Sequence, residues 1–312
     1  MDTYKFLLIC LTSLCVLTVT SSHANEPAKT RKLVLIAGEP SHPPMMHEFK
    51  AGSMLLEKRL KEIPGLIVDR HEMGWVKDEK TFDDAAAVVI YSDGQERHPV
   101  SKANHQAIIQ KLIDRGVGFG CMHYAVETTK GSKEAVAFKD WLGGTYEKEF
   151  SCNPMWEPKY NTFPDHPVCR GVKPFTVKDE WYFNMRFVNG FNADGSHEHE
   201  GMKFTPILVD KPTMKTRNGP YVYPIGPYSH IQADSGRNET MLWVVERKDG
   251  GRGFGFTGGH FHVNWQDDNY RKVVVNSLCW VTGLDIPENG FDTAPVSDTE
   301  LLENLDLKAK KK

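Results

Sequence analysis

Three hydrophobic segments of this chain run out into loops that carry histidine. LVLIAGEPSHPPMMHEF brings His42 and His47, GVGFGCMHYAVE brings His123 and Glu127, and GFGFTGGHFHVNW brings His260 and His262. Imidazole exchanges protons near neutral pH and is the commonest metal ligand. In an open α/β sheet the ligand crevice lies at the carboxyl ends of strands, where these loops would fall. The most specific segment delivers His123 from an apolar strand and continues through Ala125-Val126-Glu127 as the start of a helix. That is the layout of a nucleophile elbow, with histidine in the exposed place. Helical spacing puts Glu127 one turn beyond His123 on the same face, where a carboxylate could fix the imidazole tautomer. His123 and Glu127 are therefore the candidate catalytic pair; the plainer alternative is that His123 caps the sheet through a backbone hydrogen bond.

The other segments carry candidate binding groups. His42 lies in a Gly- and Pro-shaped loop and His47-Glu48 opens the first helix, although a solvated surface loop would look the same. His260 and His262 are two apart, so an extended backbone turns both to one side; with Phe261 and Trp265 the stretch could equally be a packed edge. Asp93 follows another apolar run and belongs to the same rim. In Asp179-Glu180-Trp181-Tyr182, Glu180 could accept sugar hydroxyls while Trp181 stacks on a sugar face. Candidate substrate-binding residues are thus His42, Glu48, Asp93, Glu180, Trp181, His260 and Trp265. A divalent metal such as zinc could be held by His47, His123, His260 and His262. The string His197-Glu198-His199-Glu200 has a metal-like look, but its polar, Gly-flanked setting suits a solvated loop.

The elements that would position these groups alternate. Lys32–Ala37, Leu66–Arg70, Ala85–Tyr91 and Val117–Met122 are apolar strands, with helices over His47–Leu60 and Lys102–Arg115. Alternation of this kind predicts a parallel sheet covered on both faces. Residues 143–235 are irregular and rich in aromatic residues, with strands expected at Phe175–Val177, Trp181–Arg186 and Phe204–Val209. Met241–Arg247 and Gly253–Thr257 form an antiparallel pair around a Lys-Asp-Gly-Gly turn. Asn269–Thr282 is a closing amphipathic helix with Gly283 at its cap.

Lys5, the apolar run Phe6–Val19 and Ser22-His23-Ala24 have the layout of a cleavable signal peptide over residues 1–24. An exported, periplasmic or extracellular protein is expected, without stable membrane insertion. With 38 Lys+Arg against 41 Asp+Glu there is no basic field to favour nucleic acid. Lys308–Lys312 reads as the end of a solvated polar tail over 288–312. Cys121 and Cys279 suit buried thiols, whereas Cys152 and Cys169 flank a loop and could pair in an oxidising compartment.

Taken in order, GEPSHPPMMHEF, VVIYSDG, GVGFGCMHYAVE, HPVCRGVKPFTVKDEWY, GGRGFGFTGGHFHVNW and NSLCWVTGL resemble the ThuA-like, or trehalose-utilisation, family in its secreted bacterial branch. The resemblance spans a domain of residues 32–287. It implies a class I glutamine amidotransferase-like fold: a flavodoxin-like, three-layer α/β sandwich with an aromatic-rich middle insertion. True amidotransferases carry cysteine at the elbow. Here His123 holds that place and Cys121 sits two residues earlier in the strand, which argues against glutaminase activity. The expected function is a secreted, carbohydrate-active, hydrolase-like enzyme acting on a small-molecule saccharide or glycoside through a histidine-lined pocket. The alternatives are a non-catalytic sugar-binding module and a zinc-dependent hydrolase; homo-oligomer formation is left open. A binding module needs no convergent histidines, whereas a zinc site needs at least three ligands at about 2.0–2.1 Å.

Overall fold

A computed structural model describes residues 30–102 and 104–308, so the expected signal peptide lies outside the described residues. The apolar runs form strands β1 (Arg31–Ala37), β2 (Leu66–His71), β3 (Ala87–Tyr91) and β4 (Gly118–Met122). All of β3 and β4 is buried, and so are the last five residues of β1. Such strands read as unbroken hydrophobic runs because helices cover both faces. Side-chain alternation then sorts them: Leu33, Leu35 and Ala37 join one core layer, Val34 and Ile36 the other.

Helices α1 (Phe49–Leu60) and α4 (Asp268–Val281) pack into the first layer; α2 (His105–Asp114) and α3 (Lys133–Leu142) pack into the second. Helix α4 starts where the Asp267 carboxylate accepts the amides of Asn269 and Tyr270, at 3.0 and 2.8 Å. It stops at Gly283, whose φ of 82° lies in the left-handed region that glycine adopts freely.

Four further strands, β5 (His197–His199), β6 (Met202–Asp210), β7 (Glu239–Glu246) and β8 (Arg252–Phe256), complete an eight-stranded sheet in the order β5-β6-β7-β8-β4-β3-β1-β2. Strands β2, β1, β3, β4 and β8 are parallel, and β5 to β7 add an antiparallel edge. The result is the expected three-layer α/β sandwich. The strand order reverses between β1 and β3, so the loops that follow these strands flank the crevice of a doubly wound sheet.

Several local expectations are corrected. Trp181–Arg186 is not a strand. Trp181, Tyr182 and Phe183 are all buried, so no solvent face exists for an alternating pattern. Phe183 pairs only with Cys152, and the Asn184 amide is taken by the Glu239 carboxylate at 3.0 Å. His197–His199 is edge strand β5, not a loop, though its side chains remain half-buried or exposed. The four described cysteines are buried free thiols, so Cys152 and Cys169 are not bridged. Among the described residues no helix is long and apolar enough to cross a membrane.

The C-terminal segment is largely exposed but is pinned to the domain at several points as far as Lys308. Arg59 holds it through Glu300 and the carbonyls of Ala294 and Pro295. The Lys308 side chain is 3% exposed, pairs with buried Glu48 at 3.0 Å, and donates to the carbonyls of Met46 and His47. Lys308 looks solvated in sequence because nothing nearby marks a distant carboxylate as its partner; the rest of the lysine-rich end lies outside the described residues.

Candidate functional site

The loops at the switch point bring the histidines together. His47 enters from the loop before α1, His123 from the end of β4, and His260 from the loop after β8. His47, His42 and His123 all have positive φ, 48°, 59° and 56°. That region costs a non-glycine residue on the order of 1–3 kcal/mol and gathers at functional sites. Gly94 permits the close approach of the β3 and β4 loops: a Cβ there would stand 2.4 Å from the Tyr124 carbonyl oxygen.

The proton positions follow from the outer partners. His47 Nδ1 lies 2.9 Å from Asp93 Oδ1, which also accepts the Ser41 hydroxyl at 2.9 Å. Arg97 pairs with the other Asp93 oxygen at 3.2 Å. His123 Nδ1 lies 3.1 Å from the Thr257 carbonyl. Both Nδ1 atoms face acceptors, so both carry hydrogen and both Nε2 atoms present lone pairs. Those two Nε2 atoms are 2.9 Å apart. His260 Nδ1 joins them, 3.0 Å from His47 Nε2 and 2.8 Å from Glu180 Oε2. Glu180 Oε2 is also 3.6 Å from His123 Nε2.

Whichever of His260 and Glu180 holds the proton between them, the His47 and His123 lone pairs still point at each other. Protonating a ring would relieve this, but burial drives His47 and His123 well below the usual imidazole range, and neighbouring histidines add to the shift. Burial likewise brings His260 down to about 4 and pushes Glu180 up, helped by Asp179. A cation between the rings removes the conflict. Tetrahedral zinc at 2.0–2.1 Å needs ligand nitrogens about 3.3 Å apart, so these rings would open by only a few tenths of an ångström. His47, His123, His260 and Glu180 fit such an ion, with Asp93 and the Thr257 carbonyl as the outer acceptors that fix ligand tautomers. Asp93→Ala is expected to weaken zinc binding about 10- to 100-fold, measured by chelator competition; unchanged affinity would mean that Asp93 does not set the His47 tautomer.

The remaining candidates divide. Asp93 and Glu180 sit within this cluster, and His42 stacks on His47 with ring centroids 3.6 Å apart. His262 is corrected: the chain leaves the extended path at Phe261 for a short 3-10 turn, and His262 Nε2 turns to the Leu301 carbonyl. Glu180 takes the fourth place instead. Glu127 is also corrected as the partner of His123. The expected helix is a single 3-10 turn over His123–Val126, and Glu127 accepts Gln95 Nε2 at 2.7 Å. Burial lifts its carboxyl to about 8, so it holds its proton at neutral pH.

Trp181 and Trp265 are fully buried, the first beside Tyr160 and Phe256 and the second beside Tyr91. Neither can offer a face to a sugar. Glu48 anchors the C-terminal segment and is no substrate ligand. Sequence reasoning missed Asp179, which is fully buried and accepts the amides of Gly259 and Phe261 and the Tyr270 hydroxyl, fixing the His260 loop. Only its place beside Glu180 hinted at this. It also missed Asn153, whose amide donates to Glu180 Oε1 at 2.8 Å.

Fold and site together define a doubly wound α/β sandwich with a histidine-carboxylate cluster buried at its switch point. A family model described as ThuA, trehalose utilisation, matches residues 34–281, and the chain belongs to this family. Among solved structures, a ThuA-like protein from Bacteroides uniformis is 14% identical with a TM-score of 0.56, covering 84% of this chain and 96% of that one. Another from Parabacteroides merdae is 17% identical with a TM-score of 0.55, covering 88% of this chain and all of the other. These likenesses bear on the fold alone. No curated protein matches the chain significantly.

Proposed function

We propose that this protein is an exported, carbohydrate-active metalloenzyme that acts on a saccharide or glycoside at the His47–His123–Glu180–His260 cluster. The observation that carries this reading is the 2.9 Å approach of two Nε2 lone pairs whose partner nitrogens are both committed to acceptors. A sugar-binding module has no use for buried imidazoles arranged in this way. A divalent ion held here would supply Lewis-acid polarisation of a substrate oxygen.

The chain's own groups then have distinct tasks. Asp93 and the Thr257 carbonyl orient the two imidazoles. His42 is the one imidazole of the group that solvent reaches, with Asp93 Oδ1 3.8 Å from its Nδ1, and it is placed to pass a proton between substrate and solvent. Glu127, protonated at neutral pH and held by Gln95, can serve as a proton donor. Cys121 is unsuited to amidotransferase chemistry. Burial pushes its thiol well above the ordinary range, and its neighbour His98, 4.0 Å away, is itself driven down to about 3 by burial.

Elemental analysis of protein purified without a metal-affinity tag tests the proposal. About one equivalent of zinc or another transition metal is expected. Protein that is metal-free, and that neither takes up zinc nor gains thermal stability from it, would end the metalloenzyme reading.

A further inference from the structure

Beside the cluster, the inner edge of the middle insertion carries polar atoms that no neighbour satisfies. Tyr146 is 2% exposed, and its ring stands 5.1 Å from Tyr182, which lies 5.1 Å from His123. The buried Tyr146 hydroxyl has no hydrogen-bond partner among the described residues, and neither does that of Tyr228. A buried hydroxyl left unpaired is costly, and a folded chain retains few without reason. Tyr146 pairs through its backbone with Glu127 in a parallel bridge, which brings the Glu127 carboxyl to the same wall.

This wall has a rim. Asn153 joins Glu180 through Nδ2 and receives the Tyr223 amide on Oδ1 at 3.2 Å, so the loop over residues 219–228 is tied to a proposed metal ligand. Tyr223 is 61% exposed and is the one aromatic among the large exposed apolar residues described. Lys148 lies over its ring, 4.9 Å from the centroid. With Trp181 and Trp265 buried in the core, Tyr223 is the most exposed ring on this rim.

We propose that Tyr146, Tyr228 and Glu127, with Tyr223 as platform, form a subsite for a neutral pyranose ring. The ring stacks on Tyr223 and satisfies the two orphaned phenols with its hydroxyls. The subsite rests on the carbohydrate part of the reading above, but not on the metal.

The test is isothermal titration of the full chain, metal-loaded and metal-stripped, with trehalose, maltose, cellobiose and lactose. At least one sugar should bind, and Tyr223→Ala and Tyr146→Phe should each raise its Kd about tenfold or more. Tyr146→Phe keeps the ring and removes only an unpaired hydroxyl, so its Tm should hold or rise, which separates lost binding from lost folding. Unchanged Kd in both variants, or no binding of any of the four sugars by the wild-type protein, overturns the subsite. Metal-loaded protein that binds no sugar leaves the metal centre standing without it. Protein that takes up no metal yet binds sugar through Tyr223 upholds the subsite and removes the metal.

Discussion

His123→Ala should abolish metal binding at the proposed centre. The substitution takes one of three convergent imidazoles and frees the Thr257 carbonyl that fixes its tautomer. Loss of an outer-shell partner alone lowers metal affinity about 10- to 100-fold, so loss of a direct ligand should exceed that. A ligand that binds only the folded state stabilises it by mass action, by about 4 kcal/mol when free zinc is on the order of a thousandfold above Kd. The wild-type Tm should therefore climb with added zinc while that of the variant stays flat. The metal-stripped proteins should differ less, because the variant no longer holds two lone pairs 2.9 Å apart. Equal metal content and equal zinc response in the two proteins would refute the assignment of His123 as a ligand.

Lys308→Met should destabilise the fold by about 3–5 kcal/mol, the usual cost of stranding one partner of a buried ion pair. Glu48 is 1% exposed, and without the ammonium it would keep only the amides of Met45 and Asp306. Lys308 also binds the carbonyls of Met46 and His47, so its loss loosens the backbone that presents a proposed ligand. Urea denaturation measures the effect. The double variant Glu48→Gln/Lys308→Met should recover much of the loss, because it removes the stranded charge. A loss below about 1 kcal/mol in the single variant would mean that the segment is frayed in solution and contributes as little as an exposed pair.

The sheet is legible in the sequence because its signals are local. Runs such as LVLIA and AAVVIY have one reading in a parallel sheet buried on both faces, and a strand end fixes where the following loop begins. Hydrophobic pattern alone therefore places His42, His47, His123 and His260 on one rim. Orientation is not legible once the backbone leaves regular geometry. His262 follows strand parity in expectation and a 3-10 turn in fact. Glu127 is assigned by helical spacing where there is a single turn. Glu180 carries no spacing signal, because it reaches the cluster through an irregular insertion. The tryptophans look alike in sequence whether they line a crevice or fill a core, and here aromatic packing claims both. The Lys308–Glu48 pair joins residues in distant parts of the chain, and neither carries a mark of the other.

That last pair gives the site an order of assembly. A nascent chain that has reached Leu301 already holds all four proposed ligands and can form the whole eight-stranded sheet, yet it lacks the ammonium that seats the His47 backbone. The contact closes across 261 positions of sequence, so it can form only once nearly all of the described chain has been made. A chain cut short before Lys308 would keep the four proposed ligands and the sheet that carries them, but would leave the His47 backbone without its fastening.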